Sequence, residues 1–506
     1  MTDLAQRQIE IESDTARGRG DYTAFHALWH LAEIGVVTDL KSFASEAWDL
    51  AAERLDGEGQ RSTRVALIDT SVAAGHPNLA DAINARFALD LFSSRMGVPG
   101  ARDAYEGILG DDNRTLPEDF PDGAAQLWAD LQDHLKSGPS EAHASPVRAA
   151  NAPNFSAHGT AMAGLIGARP VACETTAVAQ VRVFDPTTGT YSELPMGQSV
   201  AFAYSGVDPF CEIVPISTNF DPEPEQLILA LLYAALIDAD VIVLARDFPA
   251  PASLAPGVEH SPEALSRALG VDVAAHEIER WTVLEELTIA LSKRVPIVCA
   301  AGNGAQQRIL YPGSLAADGN GIISVGARTA AGQSASYSPV SDHVTVYAPS
   351  GDGERLDDKM QRLDVQSAGF NPNDHSQFYR GNLGSFGDPS NVADVGPGTH
   401  APQDLISTDV PGRAGYNSSP NAQVFGRDGA ILDYRSAYCR FSGTSGAVAL
   451  TGGLLSLALS AGRLTKGGAH FGVNAKAALC GGAAQSYAKA EPAIHWRNLS
   501  PDVGDV

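Results

Sequence analysis

The sequence predicts an α/β protein of three layers: a mainly parallel sheet between two layers of helices, preceded by a helical extension. Three observations carry that expectation. Short β-rich runs alternate with helical segments of about 10–15 residues. The runs are apolar on consecutive positions, as strands covered on both faces must be. Fifty glycines in 506 residues supply tight turns and close approach between helix and strand.

Each element can be placed in order. Residues 21–56 carry apolar positions at helical spacing and read as two or three helices, with Thr38 or Asp39 as the cap between two of them. The first strand is the apolar run that ends at Asp69. Further strands are expected at 211–218, 240–245, 295–301 and 321–327, and the intervening helices at 225–238 and 277–294. Three stretches read as insertions or loops: 96–150, 249–275 and 350–400, the first holding a short helical piece around 124–135. The division that follows is a helical extension over 1–60, one large domain over 61–490 and a tail over 491–506. No internal repeat is present.

Composition excludes several classes. Lys and Arg number 35 against 60 Asp and Glu, a formal charge of −25, which disfavours a polyanionic partner such as nucleic acid. No stretch reaches the roughly 20 apolar residues that span a bilayer. The first 20 residues show no basic segment followed by an apolar run, so no secretory leader is read there. Five widely spaced cysteines, without a Cys-x-x-Cys pair, fit buried thiols in a reducing cytoplasm better than a disulfide framework or a zinc site.

Four segments carry coherent chemistry. Asp69 ends the first strand and is followed by His76-Pro77; His158-Gly159-Thr160 opens a run of small residues; Ala301-Gly302-Asn303-Gly304 follows a strand; and Ser442-Gly443-Thr444-Ser445 opens a long apolar helix. A serine hydroxyl is a weak nucleophile and needs an imidazole to accept its proton, and the imidazole needs an acid to fix its tautomer. Acyl transfer also builds charge on a carbonyl oxygen, which preset amide donors stabilise. In open parallel sheets such groups gather past the C-terminal ends of strands, where Asp69 and Asn303 both fall. Each residue also has an ordinary reading: a strand-end carboxylate, a structural histidine, a helix cap, a turn former.

Taken in this order, the segments resemble the subtilisin-like serine proteases, or subtilases, over roughly residues 61–485. Three more stretches support the resemblance: 206–216 with Gly206-Val207, 311–327 with Tyr311-Pro312-Gly313, and 407–416. It implies a subtilisin-like fold and a serine endopeptidase with Asp69, His158 and Ser445 as catalytic triad and Asn303 as oxyanion donor. The strand at Ala245-Arg246-Asp247 would bind substrate. A protein or peptide is the implied substrate. No cofactor is required, and calcium is an optional ligand at the acidic loops 110–113 and 351–354, although neither has the ligand alternation of a calcium loop.

The departures are informative. Ser71 stands where the family has Gly and Ala449 where it has Pro, which predicts altered helix geometry with chemistry retained. Ala245-Arg246-Asp247 replaces Ser-Leu-Gly, so Asp247 narrows the pocket and adds charge; the pair Arg246 and Asp247 either set a charged specificity or serve only each other and solvent. His76, Cys299 and Cys439 read as structural. Residues 1–60 read as an inhibitory segment, a docking site for a regulatory partner or a packing extension. The sum is a cytoplasmic, regulated protease with few substrates. The alternative is an inactive binding or scaffold protein on the same fold; an esterase would be expected to carry a Gly-x-Ser-x-Gly elbow, which is absent around Ser445.

Overall fold

The computed structural model describes residues 28–137, 157–174, 182–185, 190–193, 199–351, 404–410, 415–416, 437–481 and 493–499, less interruptions of one to three residues. In chain order the elements are α1 (Trp29–Glu33), α2 (Glu46–Leu55), β1 (Arg64–Asp69), β2 (Leu89–Asp90), β3 (Val98–Pro99), α3 (Asp103–Leu109), α4 (Ala125–Lys136) and α5 (Ala157–Gly167). Four short strands follow, β4 (Val171–Glu174), β5 (Arg182–Asp185), β6 (Thr190–Glu193) and β7 (Ser199–Phe202). Then come β8 (Glu212–Ser217), α6 (Pro224–Leu236), β9 (Val241–Leu244), α7 (Pro262–Leu269), α8 (Ala275–Arg294), β10 (Ile297–Ala300), β11 (Ile322–Arg328) and β12 (Val346–Pro349). The last are β13 (Leu405–Thr408), β14 (Tyr438–Phe441), α9 (Gly443–Ser460) and α10 (Phe471–Gly481).

Eight strands form one sheet in the order β12-β11-β10-β9-β1-β8-β2-β3, parallel throughout except where β2 meets β3. Alternate residues of each central strand enter opposite cores. Val65, Leu67, Val241, Val243 and Val298 face one, with α5 and α9. Ala66, Ile68, Ile242, Leu244 and Ile297 face the other, with α6 and α8. Period-2 alternation with both faces covered is what makes the architecture three-layered. One described helix, α9, is long and apolar enough to cross a membrane, and it is the central helix of the first core.

The expected strands at 211–218, 240–245, 295–301 and 321–327 are β8, β9, β10 and β11, and the expected helices are α6 and α8. The helical extension differs from its sequence reading at one cap. Its second helix is capped by Ser45, whose Oγ accepts from Trp48 N at 3.1 Å, and not by Thr38 or Asp39. Thr38 and Asp39 instead pair back on Ala44 in a turn. Residues 28–55 pack into the main core. Leu28, Leu31, Ile34, Val36 and Val37 are buried in the same core as α9, and the Trp48 indole donates to Val207 O at 2.9 Å. Arg54 donates to Leu459 O at the C-terminal end of α9, where a cation complements the helix dipole.

Residues 493–499 close the same face. Ala493 bridges Tyr347, Trp496 N donates to Ile34 O at 2.8 Å, and the Arg463 guanidinium lies 4.1 Å from the Trp496 ring centroid. Of the expected insertions, 249–275 contains α7, while 138–156 and 352–403 lie outside the described residues.

Candidate active site

The C-terminal ends of β1 and β10 and the N-termini of α5 and α9 meet at one rim of the sheet. Asp69, the last residue of β1, is fully buried. Its Oδ1 accepts from Thr70 N at 2.6 Å. His158 is the second residue of α5, and its Nδ1 lies 2.8 and 2.9 Å from the two Asp69 oxygens. Its Nε2 lies 3.0 Å from Ser445 Oγ. With Nδ1–H donated to the carboxylate, Nε2 is the bare nitrogen that can accept the serine proton.

Local sequence explains this convergence. A Cβ at Gly159 would sit 2.6 Å from Thr70 O, so only glycine lets α5 approach the end of β1 this closely. Gly159 N then donates to Thr70 Oγ1 at 3.0 Å, which fixes the helix start over Asp69. Phe441 packs edge-on against the His158 ring with centroids 5.4 Å apart. Ser445 is the third residue of α9, and Ala245 O lies 3.3 Å from its Oγ.

Burial alone would push the Asp69 carboxyl up. The charge and hydrogen bond of His158, the charge of Arg246 and the Thr70 N–H together outweigh it and hold the group below the ordinary carboxylate range. Asp69 is therefore ionised at neutral pH, and that state is lost only as pH falls through its lowered value.

Asn303 follows β10 through Gly302, which adopts φ +118°. Its Oδ1 accepts from Thr444 N at 2.8 Å and from Thr444 Oγ1 at 3.0 Å. With its oxygen engaged, the amide has its NH₂ to offer, and Asn303 lines the same cavity as His158 and Ser445. That cavity is about 480 Å³, with Ala245, Arg246 and Asp247 along one wall.

On that wall Arg246 is half-buried and Asp247 exposed. Arg246 Nη1 donates to Asn219 O at 2.5 Å, and its charge acts on Asp69. Asp247 is exposed at the cavity. The residues expected to form the site lie at this rim: His158 bridges Asp69 and Ser445, Asn303 is bonded to Thr444, and 245–247 form a wall.

Ser71 and Ala449 are both buried, and α9 runs unbroken through Ala449. His76 is structural: its Nε2 lies 2.8 Å from Ala437 O, its Nδ1 accepts from Asn78 N, and burial lowers its pKa to about 4. Cys299 and Cys439 are buried and their thiol pKa values are pushed up by burial. The acidic loops 110–113 and 351–354 fall largely outside the described residues. Among the described residues, no group of three or more His, Cys, Asp or Glu side chains could hold a metal.

Sequence reasoning missed Tyr337 and Ser350. Gly443 N donates to Tyr337 Oη at 3.0 Å, and Ser350 Oγ donates to Gly443 O at 2.9 Å. The sequence reading singled out neither residue, and the fold brings both to the serine turn.

Comparison with known proteins completes the description. Residues 60–466 match the model of the subtilase family. No curated protein matches. Among solved structures, the chain is similar to the nisin leader peptidase NisP from Lactococcus lactis, at 13% identity over 94% of this chain and 94% of that one, with a TM-score of 0.46. It is similar to the epidermin leader peptide processing serine protease EpiP from Staphylococcus aureus, at 14% identity over 94% and 80%, with a TM-score of 0.48. A serine protease of Aeromonas sobria is 16% identical over 85% of this chain and 52% of that one, with a TM-score of 0.41; the chain spans about half its length.

Proposed function

The chain belongs to the subtilase family of serine-type endopeptidases, and from that premise we propose that Ser445 is its nucleophile, His158 its general base, Asp69 the partner that orients the imidazole and Asn303 an oxyanion donor. Ser445 Oγ attacks the carbonyl of the scissile peptide while His158 Nε2 takes its proton. Asp69 holds Nδ1–H and stabilises the imidazolium that forms. The Asn303 amide and the Ser445 N–H receive the oxyanion. His158 then protonates the leaving amine, and water hydrolyses the acyl-enzyme by the reverse sequence. The observation that carries this reading is one imidazole within hydrogen-bond reach of both the buried carboxylate and the hydroxyl.

A fluorophosphonate probe tests it. Wild-type protein is expected to label at Ser445, and Ser445→Ala to lose both the label and peptide hydrolysis, with a fall in kcat of roughly 10⁴–10⁶. Labelling that persists in Ser445→Ala would place the nucleophile elsewhere.

The substrate is a peptide, and its charge preference is assigned to Asp247. Arg246 donates to a backbone carbonyl and its charge acts on Asp69, so Asp247 is the exposed charge among 245–247, with Arg308 exposed elsewhere in the lining. A basic side chain before the cut is favoured accordingly. In a peptide library, Asp247→Asn should reduce the preference for Lys and Arg about 3–10-fold, the size of one partly exposed ion pair. Cleavage by wild-type protein that is indifferent to charge at that position would remove the assignment.

Cys211, Cys299 and Cys439 are free and buried, which supports a reducing compartment. We place the enzyme in the cytoplasm, as a regulated protease with few substrates. Residues 28–55 are committed to the core, which supports the packing reading of the helical extension over the inhibitory one.

A further inference from the structure

We propose that Tyr337 and Ser350 are positioning residues that set the angle of the oxyanion-binding backbone, an inference that rests on Ser445 being the nucleophile. The peptide planes before Ser445 are held by side chains as well as by the first turn of α9. Gly443 lies at φ +86°, outside helical geometry, and the first N–H groups of a helix have no partner within it. The Gly443 N–H donates to Tyr337 Oη, and its carbonyl accepts a hydrogen bond from the Ser350 hydroxyl. The N–H at the other end of that second peptide, Thr444 N, is accepted by Asn303 Oδ1. Two consecutive planes are fixed in this way, and the next one bears the Ser445 N–H.

The clamp is itself anchored. Tyr337 donates its proton to Gly351 O, just past β12. Its neighbour Ser338 accepts from Ala327 N of β11 at 2.9 Å, and Ser350 N donates to Arg328 O at 2.7 Å. Ser350 is fully buried beside the turn. The serine turn is therefore tied to the C-terminal ends of β10, β11 and β12, three strands of the rigid sheet. A donor that must meet a developing oxyanion within tenths of an ångström gains from such support, because small misplacements at a reacting centre are costly.

The test uses the full-length chain with Tyr337→Phe, Ser350→Ala and the pair combined. Each single variant is expected to lower kcat about 5–20-fold, one hydrogen bond's worth of alignment. KM should stay within about twofold, since substrate binding in the ground state is untouched. The melting temperature should fall by no more than about 2–4 °C. The double variant should lose less than the product of the singles, because both act on one turn. Wild-type kcat in both singles overturns the inference. So does a loss of melting temperature large enough to account for the lost activity, which would make the role purely structural. Wild-type protein that does not label with a fluorophosphonate overturns the parent reading as well, whereas labelled wild type with unaffected variants overturns this one alone.

Discussion

Asp69→Asn is expected to lower kcat about 10⁴-fold while leaving the fold intact. The side chains are nearly isosteric, and the Asn oxygen can keep the hydrogen bond from Thr70 N. The NH₂ group then faces His158 Nδ1, which must become the acceptor. The imidazole proton moves to Nε2, and Ser445 Oγ, 3.0 Å away, meets a donor in place of a base. Loss of the buried negative charge also removes the stabilisation of the imidazolium. Steady-state hydrolysis of a peptide, read beside thermal denaturation, checks the result. A variant within tenfold of wild type would mean that Asp69 does not orient the base.

The second large effect is on stability. A chain that begins at residue 60 is expected not to fold. It lacks Leu28, Leu31, Ile34, Val36 and Val37, all nearly or fully buried. At about 1.5–3 kcal/mol for each buried aliphatic side chain, the loss is about 8–15 kcal/mol, an upper estimate as large as the whole stability of an ordinary domain. The deletion also uncovers the face of α9 against which α2 packs, and removes the cation at its C-terminal end. Circular dichroism and solubility of the truncated chain test this. A soluble product with a cooperative melt and wild-type turnover would show that residues 28–55 are dispensable, as a removable inhibitory segment would be.

Much of the site was legible because its determinants are local. Asp69 closes an unmistakable buried strand, and Gly159 and the small residues after it announce a helix packed against something close. Asn303 lies in a Gly-Asn-Gly turn directly after a strand. The helices α6 and α8 were legible from long apolar periodicity. What escaped is non-local. Periodicity in residues 28–55 reports an amphipathic segment but not the surface that covers it, and that surface is made by α9, some 400 residues later. The cap at Ser45 was hidden because Val36 and Val37 prolong the apolar pattern through what is a turn. Strands of two to four residues such as β2, β3, β13 and β14 are too short to show alternation. Tyr337 lies in a polar stretch, and its hydroxyl acquires meaning only beside Gly443.

The contact between Ile34 and Trp496 has a consequence for biosynthesis. A ribosome adding roughly 5–20 residues per second needs about 20–90 s to travel between those two positions. Throughout that interval α1 and α2 emerge without the later segments that cover them, and their apolar faces stay exposed. The same delay is protective. Ser445 is added long after Asp69, so the proposed catalytic pair stays incomplete while the chain between them is being made.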